Sequence, residues 1–327
     1  MPKPRKAQIS LDATPYYHCI SRCVRRSFLC GIDHYTGKSY EHRRQWVEDR
    51  LILLARTFAI DVCAFAVMSN HTHTVLRINP TKAESWSTRE VIERWHGIYA
   101  GNALSKRYLS GDTLLEYEQH HLNSLAKLWR TRLQDISWFM RSLNEPIARA
   151  ANQEDQCTGR FWEGRFKCQA LLDEQALAAC LAYVDLNPIR AGIADSPESS
   201  DHTSVQKRIR AAKADIPHQP DCLLPFVGNP RKDQPDGLQF NLQDYLELVD
   251  WTGRIQRDDK RGSISTTLPP ILQRLNINER QWTQLTGKME SLFPTFVGKA
   301  EQVKIASMAL GHRRVSGLAQ CRGLFPI

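Results

Sequence analysis

Ala64-Phe65-Ala66-Val67-Met68-Ser69-Asn70-His71-Thr72-His73-Thr74-Val75-Leu76-Arg77-Ile78 holds two apolar runs of strand length around one short polar step. Runs of this kind, bounded by turn residues, predict two neighbouring strands, with His71 and His73 opening the second. Side chains alternate along a strand, so the two histidines share one face while Thr72 points to the other. Two neutral imidazoles on one face can reach a single divalent ion. The same doublet also fits a polar strand opening that water solvates. No HExxH or paired CxxC occurs in the chain, so a metal site here needs a ligand from a distant segment.

A second stretch, Asp173-Glu174-Gln175-Ala176-Leu177-Ala178-Ala179-Cys180-Leu181-Ala182-Tyr183-Val184-Asp185-Leu186-Asn187-Pro188, begins acidic, continues rich in Ala and Leu, and stops at a proline with Gly192 beyond. The pattern predicts a helix over 173–186. Tyr183 and Asn187 are four positions apart. On a continuing turn they stack on one face, where a phenol oxygen and an amide oxygen can address one point. Plainer roles stay open for both: a tyrosine that packs, and an Asn-Pro step that ends a helix.

Three motifs follow one another along the chain: Val67-Met68-Ser69-Asn70-His71-Thr72-His73, Gly159-Arg160-Phe161-Trp162-Glu163-Gly164-Arg165-Phe166-Lys167 and Tyr183-Val184-Asp185-Leu186-Asn187-Pro188-Ile189-Arg190-Ala191-Gly192. Together they resemble the single-tyrosine HUH transposases, in particular the REP-associated tyrosine transposase branch. Tyr16-Tyr17-His18-Cys19-Ile20-Ser21-Arg22 is similar to that family's first strand, so the resemblance spans residues 10–205. It implies an α+β fold built on a ferredoxin-like HUH palm, an antiparallel sheet with helices. It also implies His71 and His73 as metal ligands, Asn187 as the residue completing the metal site, and Tyr183 as the nucleophile. Tyr17 and Cys19 would support the central sheet. Thr72 departs from the family's pattern, which carries a bulky apolar residue there; because it points away from the ligands, it is expected to change packing and leave ligation alone.

The residue types account for the chemistry that such a set supports. A phosphodiester is fully charged, and a divalent ion at its non-bridging oxygens offsets the charge that develops in the transition state. Tyrosine ionises at about pH 10, so phenolate at neutral pH costs about 4 kcal/mol unless a base, a metal or a cation lowers it. No base stands out, and His18 and the arginines of 160–165 are the nearest candidates. Attack by Tyr183 would leave a 5′-phosphotyrosyl link and a free 3′-hydroxyl, which conserves the phosphodiester's energy and makes strand transfer reversible. No nucleotide cofactor is then required, and no Walker loop is present. Two nitrogens and one amide oxygen suit Mg²⁺ or Mn²⁺, with Mn²⁺ the softer match and Zn²⁺ open on paper.

Composition agrees with a polyanionic partner. Among 327 residues, 44 Lys and Arg stand against 35 Asp and Glu, a net charge of +9. Arg22, Arg25 and Arg26 form one basic group, while Arg160, Arg165 and Lys167 are interleaved with Phe161, Trp162 and Phe166. Arginine beside aromatics suits phosphate contact with stacking on unpaired bases, so Arg22, Arg25, Arg26, Arg160, Trp162, Arg165 and Lys167 are the candidate DNA contacts. A solvated charged face and a Phe-Trp-Phe core are the competing roles. No apolar stretch is long enough to span a bilayer, and the basic start is not followed by a signal-type apolar run. Nine cysteines without motif spacing fit reduced thiols, which with the missing signal points to a cytoplasmic, nucleoid-associated protein.

The expected organisation follows. Strands fall over 15–22, 61–67 and 73–78, with a helix from Glu41 to Thr57 between the first two and a last strand within 160–171. A helical insertion occupies 80–158, including stretches from Arg89 to Leu109 and from Leu133 to Asn152, where hairpin DNA could be gripped. The catalytic domain thus covers 1–205. A Pro-, Ser-, Asp- and Lys-rich linker follows over 206–237, and a mostly helical domain of unassigned role over 238–327. The expected function is metal-dependent cleavage and rejoining of single-stranded DNA beside hairpins, by a monomer or homodimer. An HUH nickase of the rolling-circle or relaxase kind and a non-catalytic hairpin-DNA regulator are the alternatives.

Overall fold

A computed structural model describes residues 8–24, 29–33, 36–214, 219–255, 268–312 and 314–325. In chain order the elements are β1 (Tyr16–Arg22), α1 (His42–Thr57), β2 (Ile60–Val67), β3 (His71–Ile78), α2 (Pro80–Ser85), α3 (Thr88–His96), α4 (Ala103–Leu109), α5 (Glu116–Arg132), α6 (Ile136–Glu154), β4 (Lys167–Leu171), α7 (Glu174–Asp185) and α8 (Asn187–Arg190). They continue with α9 (Ser204–Lys213), α10 (Leu242–Ile255), α11 (Pro270–Arg274), α12 (Glu279–Leu292), β5 (Phe296–Val297), α13 (Ala300–Ala309) and α14 (Leu318–Leu324).

Among the described residues the strands form one five-stranded sheet in the order β2-β3-β1-β4-β5. β1 is antiparallel to β3 and to β4. The protein is α+β, and its first four strands are compatible with a palm-like fold of βαββαβ type. An all-antiparallel sheet was expected. The sheet is mixed instead, because β5 runs parallel to β4 and places Phe296 and Val297 beside Ala170 and Leu171.

The chain divides into two compact units, one of residues 1–45, 62–77 and 160–327 and the other of 46–61 and 78–159. In the first, β1 is central and Tyr17 to Ser21 are buried. Asp173 caps α7 by accepting from the Ala176 N–H, which satisfies one of the donors that a helix start leaves open. Every residue of α7 from Gln175 to Asp185 is buried. A helix apolar on all sides belongs inside a core, and α7 packs between β4 and α12.

The last strand is shorter than expected: only Lys167–Leu171 pairs as a strand, while Trp162 makes an isolated bridge to Cys23. The stretch read as a linker carries α9, so the expected boundary at 206 falls inside a helix. Its polar composition conceals a buried Arg208, which donates to the carbonyls of Cys63 and Leu224. Asp185, at the end of α7, accepts from Ser204 Oγ and the Val205 N–H on α9 and from Tyr245 Oη on α10 at 2.6 Å. Through these bonds and through β5, residues beyond 205 share the core of the sheet.

In the second unit, residues 80–158, where a helical insertion was expected, carry α2 to α6, segmented differently from that expectation. The stretch from Arg89 to Leu109 is two helices, α3 and α4, and α5 adds a helix before α6. Ser87 and Glu90 close a capping box at the start of α3. The break between α3 and α4 holds Gly101 against the His96 ring, where a Cβ would lie 1.8 Å from Nε2, so a larger residue there would have to displace the ring. Trp95 and Trp129 stack at 5.2 Å, and Phe139, Met140 and Leu143 of α6 lie in the core. No helix among the described residues is long and apolar enough to cross a membrane.

Candidate active site

Sheet register gathers the site. On β1 and β3, Arg22 lies opposite His71, Ile20 opposite His73 and His18 opposite Val75; on β4, Gln169 lies opposite His18 and Lys167 opposite Ile20. With a side-chain period of two, Arg22, His18, His71, His73, Lys167 and Gln169 therefore share one face. Thr72 lies on the opposite face, buried, with its hydroxyl lacking a hydrogen-bond partner.

Helix α7 brings Tyr183 to that face. Its ring centroid is 5.6 Å from that of His73 and 5.9 Å from that of His18, both edge-on, and the His71 and His73 centroids are 4.8 Å apart. The chain turns on through Leu186 into α8 with helical hydrogen bonding, so Tyr183, Asn187 and Arg190 stand at i, i+4 and i+7 on one side. The Arg190 guanidinium lies 4.2 Å over the Tyr183 ring, donates to Asn187 Oδ1 at 2.7 Å and to the Thr286 carbonyl of α12 at 2.7 Å. Asn187 Nδ2 is buried without a partner.

The electrostatics favour neutral imidazoles. Burial pushes His18 and His71 down to about 4, with the Arg22 charge adding to the effect at His71. His73 is held well below the usual histidine value by complete burial and by its neighbours His18 and His71. Burial pushes the Tyr183 phenol up, and the charge and hydrogen bond of Arg190 act the other way. Burial also pushes Glu290 of α12 up, yet its 2.7 Å bond to Lys167, together with the charges of Lys167 and Arg22, brings it below the ordinary carboxylate value. Arg22 itself reaches Glu290 at 3.8 Å.

Two ring nitrogens carry the lone pairs of this site. His71 Nδ1 bonds Asn70 Oδ1 at 2.6 Å, which makes it the donor and leaves Nε2 bare. His73 Nε2 is fully buried and has no partner at all. An unpartnered buried nitrogen is costly unless something outside the protein meets it. Among the described residues no three His, Cys, Asp or Glu side chains gather as a metal site, so a third protein ligand would be an amide oxygen such as that of Asn187. Neutral nitrogens and one amide oxygen fit a divalent ion of the Mn²⁺ or Mg²⁺ type.

The basic-aromatic motif lines a neighbouring cleft of about 690 Å³, where Arg160, Trp162, Arg165, Phe166 and Lys167 face Pro294. Arg160, Arg165 and Lys167 are exposed, Trp162 and Phe166 are half-buried, and Phe161 is in the core, so the motif divides between solvent and interior. Arg22 and Lys167 belong to the imidazole face, and Lys167 joins it to the cleft. Arg25 and Arg26 lie outside the described residues. Sequence inspection assigned no role to Gln169, Arg190, Thr286 or Glu290. Only Arg190 left a signal, its place seven residues after Tyr183.

No family model matches the chain, and no curated protein matches it. Among solved structures, a REP-associated tyrosine transposase bound to a REP hairpin is similar at 13% sequence identity and a TM-score of 0.38, over 65% of this chain and 87% of that chain.

Proposed function

We propose that this protein is a metal-dependent HUH-type tyrosine transposase that cleaves and rejoins single-stranded DNA beside hairpins. The observation that supports it best is the Tyr183 ring 5.6 Å from that of His73, itself 4.8 Å from that of His71, with Arg190 lying over Tyr183 and bonding Asn187, and with His73 Nε2 buried and without a hydrogen-bond partner. His71 Nε2, His73 Nε2 and Asn187 Oδ1 would hold Mg²⁺ or Mn²⁺, which when bound supplies charge neutralisation at the scissile phosphate.

The chain's own groups do the rest. Tyr183 Oη attacks phosphorus, the 3′-oxygen leaves as a hydroxyl after taking a proton, and the 5′-phosphate remains on the tyrosine. Arg190, over the ring at 4.2 Å, favours the phenolate that burial opposes. Attack on the phosphotyrosine by the 3′-hydroxyl of a second strand releases the phenol and joins the strands. The exposed Arg160, Arg165 and Lys167 draw in phosphates, and the half-buried Trp162 offers a ring face to an unpaired base.

The test uses labelled single-stranded hairpin DNA with Mn²⁺, read on a denaturing gel. A covalent adduct with the wild type, lost in Tyr183→Phe while hairpin retention persists, is the expected result. Joined product on adding a second strand with a free 3′-hydroxyl separates a transposase from a nickase. Retention without adduct in the wild type would sink the catalytic reading in favour of a hairpin-binding regulator.

A further inference from the structure

A hydrogen-bond chain behind His73 fixes which of its nitrogens is bare. It starts at the end of α12, where the backbone carbonyls of Met289 and of Phe293, just past the helix, accept from Gln169 Nε2. Two carbonyl acceptors settle the orientation of that amide, since turning it over would set oxygen against oxygen. Gln169 Oε1 must then be the acceptor for His18 Nδ1, 2.7 Å away, so His18 carries its proton on Nδ1. His18 is fully buried and its two hydrogen-bond partners are an amide and an imidazole, neither of which would offset a positive charge, so it is the neutral ring and has only a lone pair left on Nε2. That nitrogen lies 2.9 Å from His73 Nδ1, with the ring planes within 16° of each other. One proton must lie between them, and it can come only from His73 Nδ1. His73 Nε2 is thereby left bare, and it is the buried nitrogen that has no partner.

We propose that His18 and Gln169 are positioning residues that lock His73 as the Nδ1–H tautomer and aim its Nε2 lone pair at the metal position. The inference rests on the metal reading of the site for its purpose, though not for the tautomer itself. A ligating imidazole is usually oriented by a carboxylate or a backbone carbonyl on its other nitrogen. Here a second imidazole takes that place, and the orienting carbonyls come from the C-terminal residues, 120 and 124 positions away from Gln169. His18, considered above as a general base, has both nitrogens committed within this chain of bonds. It acts through His73 and not on the tyrosine.

The test reads the tautomer directly, in metal-free full-length protein labelled with ¹⁵N at histidine, by long-range proton–nitrogen correlation at neutral pH. His18 and His73 should both show a protonated Nδ1 and a bare Nε2. A protonated Nε2 on His73, or fast exchange between tautomers, overturns the proposal whatever the activity. Gln169→Leu should loosen the His73 tautomer and weaken Mn²⁺ binding by about 10–100-fold, as removal of an outer ligand support does. His18→Phe, which keeps a ring but removes the acceptor, should do the same. Unchanged tautomer and Mn²⁺ affinity in either folded variant also overturn it. Should both variants fail to fold, the wild-type spectrum decides alone. The expected tautomers without Mn²⁺ binding would support the lock and remove the metal reading.

Discussion

Tyr245→Phe tests whether the residues after 205 are bonded into the core that holds the sheet and α7. Tyr245 is 1% exposed and donates at 2.6 Å to Asp185 Oδ2, two residues beyond Tyr183 on α7. The substitution removes that one bond and keeps the ring, which stacks on Phe226 at 4.8 Å. Burial holds Asp185 above the ordinary carboxylate value, opposed by bonds from Ser204 and Tyr245. A buried bond of this kind is worth about 1 kcal/mol to a neutral acid and up to about 3 kcal/mol to a carboxylate. At roughly 3 °C per kcal/mol for a domain of this size, the melting temperature should fall by roughly 3–9 °C. Differential scanning fluorimetry of wild type, Tyr245→Phe and Ser204→Ala measures it, with Ser204→Ala, which loses another donor to the same carboxylate, falling comparably. An unchanged melting temperature in Tyr245→Phe would refute the idea that Asp185 ties α10 to α7.

Arg190→Gln should slow phosphotyrosine formation by about 10²-fold, the scale of losing one electrostatic donor, and move the pH profile for adduct formation upward, because the cation that lowers the phenol is gone; an unmoved profile would remove Arg190 from tyrosine activation. In metal-free protein His18, His71 and His73 are neutral when folded and titrate at about 6.5 when unfolded, so the unfolded chain binds more protons below that value. Stability should thus be complete above about pH 6.5 and fall toward about pH 4, by about 1.4 kcal/mol per pH unit for each proton taken up, with Glu290 opposing and Arg22, Arg190 and Lys167 reinforcing the loss. Denaturant unfolding across that range would expose a flat profile if the imidazoles were solvated. Glu290→Gln should release Lys167 and Arg22 from their acidic partner and tighten single-strand binding at low salt; steepening of the salt slope by about 0.7 per added phosphate contact is the readout.

How much of this was legible in the sequence differs by residue. β3 and α7 were, because alternation, an acidic start and a proline stop are local signals. Tyr183 and Asn187 share a side because four residues make about one turn, and Arg190 extends the same arithmetic. Gln169 was not legible, since its role exists only once β4 pairs with β1 and places it opposite His18. Nor was α12, whose contacts include the backbone carbonyls of Thr286, Met289 and Phe293, groups that every residue carries. α9 was hidden by polar composition, because Arg208 satisfies its guanidinium on carbonyls inside the core. β5 has two residues, too few to show a period. None of the nine cysteines is joined to another by a disulfide.

Helix α12 and the residue after it touch three parts of the site within one short span. Thr286 accepts from the guanidinium that lies over the Tyr183 ring, Glu290 pairs with Lys167 and Arg22, and Phe293, just past the helix, accepts from the Gln169 amide. Between the first and second of these the helix leaves regular geometry at Lys288, with φ −133° and ψ 18°. A substitution that displaces α12 would therefore loosen its bonds to Arg190, Lys167 and Gln169 together, three parts of the site that are far apart in sequence.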